Sequence, residues 1–100
     1  MGNNTTALQI RVRYLAVLKG LAERPEKTVT LEGGSLSDLI ELLRQTEAAP
    51  LKSRFFSSNG DVRPDLLIFI NGVDHSLLGG RAAGLKDGDE VIFLPSVHGG

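Results

Sequence analysis

Leu36, Leu39, Ile40 and Leu43 fall at i, i+3, i+4 and i+7, so one stretch of this chain turns an apolar stripe to one side of a helix. Ser35 stands before them as a candidate N-cap. Asp38 falls in the first turn, where negative charge suits the helix dipole. Glu41 and Arg44 lie on the opposite side, and Pro50 marks the break beyond the helix. Elsewhere the pattern is that of strands. Leu8, Ile10, Val12 and Tyr14 alternate with Gln9, Arg11 and Arg13. Val29 and Leu31 alternate within residues 27–31, Leu66–Ile70 is a dense apolar run, and Val91–Leu94 forms a last strand. One amphipathic helix covers one face of one sheet. The expected fold class is therefore two-layer α+β, a mixed sheet of about five strands packed on one main helix.

The connections are read from their turn residues. Residues 15–25 contain Gly20 and Pro25 and read as a wide loop of an antiparallel hairpin. Residues 47–64 carry the weakest pattern. A partial helical turn is expected around Leu51–Phe56 and a turn at Asn59-Gly60, with Phe55 and Phe56 capping the core and one of them exposed. Asn71-Gly72 is the favoured pair for a tight hairpin turn, with residues 73–78 as a short return strand. Residues 79–89, with four glycines, read as a loop. Pro95 lacks an amide donor and is expected to end the pairing of the last strand. The first and last strands are expected side by side at the sheet centre. That divides the chain into a disordered N-terminal arm (1–7), the folded domain (8–95) and a flexible tail (96–100) ending in Gly99-Gly100.

Composition narrows the function. One hundred residues make one domain. Cysteine is absent, which excludes disulfides, thiolate metal sites and a cysteine nucleophile, and suits a reducing, cytoplasmic setting. A net charge of −1 gives no strong pull toward nucleic acid. The charge is uneven: residues 1–63 hold nine basic and seven acidic groups (+2), residues 64–100 two basic and five acidic (−3). No apolar run reaches membrane-spanning length, and the start lacks the pattern of a secretion signal. Asp87, Asp89 and Glu90 supply too few oxygens for a Ca²⁺ site and read as a charged turn. His75 and His98 are the only histidines, so no metal site is expected. Gly79-Gly80-Arg81 lacks the context of a phosphate loop.

The segment from Val62 to Gly100 carries more than periodicity. It shows Val62-Arg63-Pro64, an apolar strand ending Ile70-Asn71, Asp74 and Leu77-Leu78-Gly79. After a spacer come Leu85, Asp87, Asp89, Val91 and Phe93, and the chain ends His98-Gly99-Gly100. This pattern resembles the ubiquitin-related modifier family. Residues 86–91 are also similar to the small subunit of molybdopterin synthase and to thiamine-type sulfur carriers. Pro95 is closer to the synthase-subunit ending. The resemblance implies a ubiquitin-like β-grasp sulfur carrier. It also implies a monomer that is a substrate of partner enzymes, with no catalytic residue and no cofactor of its own.

A terminal carboxylate has a pKa of roughly 3.5, so at neutral pH it is an anion and a poor electrophile. In the family resembled, a ubiquitin-activating-type enzyme uses ATP to adenylate Gly100. A sulfur donor then forms a thiocarboxylate for tRNA thiolation, or a target lysine attacks to give an isopeptide bond. Gly99 and Gly100 suit this because, without Cβ atoms, they thread a narrow channel in whatever dihedrals it imposes. Ile92 and Leu94 are expected to face away from the helix and to form, with Pro95, Val97 and His98, the surface on which the activating enzyme docks. Lys19, Lys27, Lys52 and Lys86 are candidate conjugation acceptors. Two other readings remain open: sulfur donation to a pterin precursor as a molybdopterin synthase subunit, and a ubiquitin-like binding module whose tail is never activated.

Overall fold

A computed structural model describes residues 7–96. The sequence-predicted arm up to residue 6 and the tail positions Val97, His98, Gly99 and Gly100 lie outside the described residues. The elements run β1 (Leu8–Tyr14), α1 (Val17–Leu21), β2 (Glu26–Leu31), α2 (Leu36–Thr46), α3 (Ala49–Phe55), β3 (Leu66–Ile70), β4 (Val73–Asp74) and β5 (Glu90–Pro95). The five strands form one mixed sheet in the order β2-β1-β5-β3-β4. β1 and β5 pair in parallel at its centre, and all other pairs are antiparallel. The first and last strands thus lie side by side as the alternation predicts.

α2 begins where a capping box forms. The Ser35 Oγ accepts from the Asp38 N–H at 3.1 Å, and the Asp38 carboxylate accepts from the N–H groups of Ser35 and Gly34 at 3.2 and 3.0 Å. A Cβ on Gly33 would sit 2.2 Å from the Asp38 carboxylate oxygen, so the approach to this cap requires glycine. The loop before β5 is stitched to the same place: Leu36 N–H donates to Ala83 O, and Leu85 N–H to Gly34 O. Leu36, Leu39, Ile40 and Leu43 are all buried, the stripe the heptad-like spacing predicts.

The core lies between α2 and one sheet face. Ile10, Val12 and Tyr14 of β1, Ile68 and Ile70 of β3, and Val91 and Phe93 of β5 are essentially inaccessible. Phe93 is the hub, its ring centroid 5.9 Å from Tyr14 and 5.0 Å from Phe55. Truncating such a side chain costs about 3–5 kcal/mol.

Four local expectations are corrected. Residues 15–25 hold a short helix, α1, which seats Leu18 in the core. α3 runs longer than the partial turn, from Ala49, because Pro50 sits in its first turn and needs no amide partner there. Phe55 and Phe56 are both buried, since α3 lays them against each other at 4.7 Å. The return strand is only Val73–Asp74. Asp74 then accepts from Ser76 N–H and caps a 3₁₀ turn, His75–Leu78, that ends the ladder. Asn71 and Gly72 do adopt the left-handed dihedrals of a tight hairpin turn, at φ 50° and 84°.

Ala16 holds φ 58°, ψ −137°, a region comfortable only for glycine. Relief of that strain outweighs the added backbone entropy of glycine. Ala16→Gly is therefore expected to raise stability by about 1 kcal/mol, read from the urea midpoint. A lower midpoint would show that no strain is stored there.

Candidate functional site

β5 carries the site-bearing residues outward from the middle of the sheet. Alternation sends Val91 and Phe93 into the core and leaves Ile92 and Leu94 half-buried on the opposite face. Directly across the ladder, Leu94 stands opposite Leu67 and Ile92 opposite Phe69. These four side chains form an apolar patch on the face that α2 does not cover. Charge borders it on the β1 side. Arg13 is the neighbour of Ile92, and its guanidinium lies 3.4 Å from Glu90 and 3.5 Å from Glu26.

Pro95 behaves differently from its sequence reading. It stays in register as the last residue of β5, opposite Leu66, and it is buried with Val91 and Phe93. It does not stand on the outward face with Ile92 and Leu94. Nor does it end the pairing: the next residue, Ser96, donates its N–H to Asp65 O at 2.6 Å. The missing amide of a proline costs nothing at a position where the ladder does not call for a donor. The other docking residues expected from sequence, Val97 and His98, and the pair expected to react, Gly99 and Gly100, lie outside the described residues.

The root of the tail is anchored by ions. Asp65 takes both guanidinium nitrogens of Arg54, at 3.0 and 3.4 Å, with Arg63 3.7 Å away. That pairing, the hydrogen bond from Arg54 first, holds the Asp65 carboxyl below the usual range. On the other side of β5, Leu15 N–H donates to Phe93 O, so the Ala16–Val17 corner also stands at this end of the sheet, with Val17 half-exposed.

The acidic turn is internal scaffolding. Asp87 accepts from Gln9 N–H at 2.7 Å, and Asp89 accepts from Lys86 N–H and the Asn71 amide at 2.8 and 2.9 Å. Among the candidate acceptors, Lys27 is tied to Glu47, which also accepts from the Tyr14 hydroxyl. Lys19 and Lys86 are exposed, and Lys52 is half-exposed. Sequence reasoning missed Leu67 and Phe69. The run Leu66–Ile70 reads as a central strand covered on at least one face, and its density hides which of its members point outward. It also missed the Arg54–Asp65 anchor, which spans a loop with no periodicity. Leu77 and Leu78 are exposed beyond β4, with Leu77 at 77%.

The family profile Urm1 (ubiquitin related modifier) matches residues 9–100. This chain belongs to the ubiquitin-related modifier family. It is 34% identical over 101 residues to the ubiquitin-related modifier 1 homolog of Drosophila simulans, across 96% of this chain and 98% of that one. It is 37% identical over 65 residues to ubiquitin-related modifier 1 of Schizosaccharomyces pombe, across 65% of this chain and 67% of that one. The matched stretches of two further relatives of that name span 60% and 54% of their lengths. Among solved structures, the small archaeal modifier protein 1 of Methanosarcina acetivorans is 28% identical. It superposes with a TM-score of 0.78 over 95% of this chain and 99% of that one. The mixed sheet and packed helix are thus the ubiquitin-like β-grasp of this modifier family.

The lowered carboxyl of Asp65 has a pH consequence. Its contribution to stability is complete above the unfolded value near pH 3.9 and is lost as pH falls through the lower folded value. Asp65→Asn is expected to be less stable than the parent at pH 6, with the gap closing below about pH 4. Urea midpoints from pH 7 to pH 2 read the difference; a gap of constant size across that range would rule out the ion pair as its source.

Proposed function

We propose that this modifier-family protein is a ubiquitin-like sulfur carrier and protein modifier, worked on by other enzymes at its Gly99-Gly100 end. Family membership supports the class of function. The single observation in the fold that supports the mechanism is the exit of β5. A central, doubly paired strand delivers Ser96 to the end of the sheet, four residues before Gly100, next to an apolar face.

In this reading an adenylating enzyme of the ubiquitin-activating type docks on Leu67, Phe69, Ile92 and Leu94 and takes the tail into its nucleotide site. ATP arrives with that enzyme. A Gly100 carboxylate oxygen attacks the α-phosphorus, and pyrophosphate leaves. The acyl–phosphate bond turns a resonance-stabilised anion into an electrophile. The terminal sulfur of a persulfide donor then attacks the acyl carbon and expels AMP, giving an acyl disulfide; a thiol on the sulfur-transfer partner cleaves its S–S bond, leaving a disulfide there and a thiocarboxylate on Gly100, the sulfur source for tRNA thiolation. When a lysine amine attacks instead, AMP leaves and an isopeptide bond remains. The body contributes binding and presentation; the chemistry is the partner's.

Docking energy in such a patch concentrates in a few central apolar side chains. Ile92→Asp is expected to lower kcat/KM of ATP–pyrophosphate exchange by about tenfold, with little change in melting temperature, because the position is only half-buried. Deleting Gly100 is expected to abolish exchange altogether. Mass spectrometry of protein from its native cells should reveal a form about 16 Da heavier, oxygen replaced by sulfur at the terminal carboxyl. Exchange that persists without Gly100 would refute the assignment of the reactive atom. Copurification with a large pterin-binding partner would move the sulfur's destination to a pterin precursor.

A further inference from the structure

Arg44 of α2, Lys52 of α3 and Arg63 of the loop before β3 line one open cleft of about 590 Å³. Ser53 and Ser58 add hydroxyls to it, and none of its lining residues is acidic.

The three cations are arranged to leave donors free. The Arg44 guanidinium is fixed 4.1 Å above the Phe56 ring, with one Nη bound to Gly60 O and Nε to Glu41. Its other Nη makes no hydrogen bond among the described residues. The Arg63 Nε is buried 3.7 Å from Asp65 and closed to a ligand, while its Nη groups make no hydrogen bond among the described residues. Lys52 has no carboxylate partner among the described residues, although Glu47 is near: that carboxylate is taken by Lys27 and Tyr14. Two guanidinium groups and one ammonium, with the Ser58 hydroxyl, exceed what a single carboxylate would use. They match the charge and the several acceptor oxygens of a phosphoryl dianion.

We propose that this cleft binds a phosphoryl dianion, free or as a phosphate monoester. The site is separate from the apolar face of β3 and β5, and its occupancy does not depend on activation of the tail. It lies beside the tail's root nonetheless, because Arg63 also approaches Asp65, whose carbonyl receives Ser96 N–H.

Amide chemical shifts of the full chain, titrated at low ionic strength with AMP, inorganic phosphate, adenosine and a hexaglutamate peptide, test this. AMP and phosphate are expected to move signals within residues 44–63, and adenosine to move none. Tighter binding of AMP than of phosphate identifies a nucleotide; equal binding identifies the bare phosphoryl group, and either supports the site. Lys52→Ala and Arg63→Gln are each expected to weaken AMP by about fivefold or more. Lys52 has no ion pair to lose, so Lys52→Ala should keep the parent's spectrum and melting temperature. Unaltered affinity in a folded Lys52→Ala, shifts centred on Arg11 and Arg13, or equal binding of adenosine would each overturn the proposal. Tighter binding of hexaglutamate than of AMP would also overturn it, in favour of an acidic protein segment.

Discussion

The structure depends on the parallel pairing of β1 with β5. It joins the two ends of the folded region: Val12 stands opposite Val91 and Tyr14 opposite Phe93. Parallel neighbours cannot be closed by a tight turn, so everything between residues 14 and 90 is one long crossover, and it supplies the face on which the pair rests. α2 supplies that face. Because β5 is flanked by β1 on one side and β3 on the other, its backbone is bonded along both edges, and the chain leading to the tail starts from the central strand of the sheet.

Much of this was legible because the determining signals are local and periodic. The Ser35–Asp38 cap and the Leu36-Leu39-Ile40-Leu43 stripe define α2 without reference to anything distant. The alternation in β1 is as clear, and Asn71-Gly72 dictates its own turn. α1 was not legible. It is five residues long, lacks a side-chain cap, contains Gly20, and forms because Leu18 finds a place in the core. α3 was half-legible for a related reason: Pro50 reads as a terminator from the left and as a helix start from the right. Pro95 was misread because a missing amide donor matters only on the edge where the ladder needs one, and register is a tertiary fact.

The outward face of β3 and β5 was read from one strand only. Ile92 and Leu94 were visible, while Leu67 and Phe69 were hidden inside an unbroken apolar run. Only pairing shows which members of Leu66–Ile70 share a face with Ile92 and Leu94. A single pair of half-buried aliphatic side chains is ordinary surface; two cross-strand pairs side by side make a continuous apolar area of the kind that proteins use for docking. The change in meaning comes from register, not from composition.

Charge follows the same logic. The sequence places an acidic excess in residues 64–100, which invites a basic partner near the tail. In the fold those acids are consumed. Asp65 is held by Arg54, Asp74 caps a turn, Asp87 and Asp89 bind backbone amides and the Asn71 side chain, and Glu90 faces Arg13. Each carboxylate satisfied in this way presents less field to a visitor than its formal charge suggests. Beside the tail root, Lys52 has no carboxylate partner and one Nη of Arg44 makes no hydrogen bond among the described residues, so unused donors stand there although the counted charge is negative. Which sign a partner meets is decided by which ions the backbone has already used.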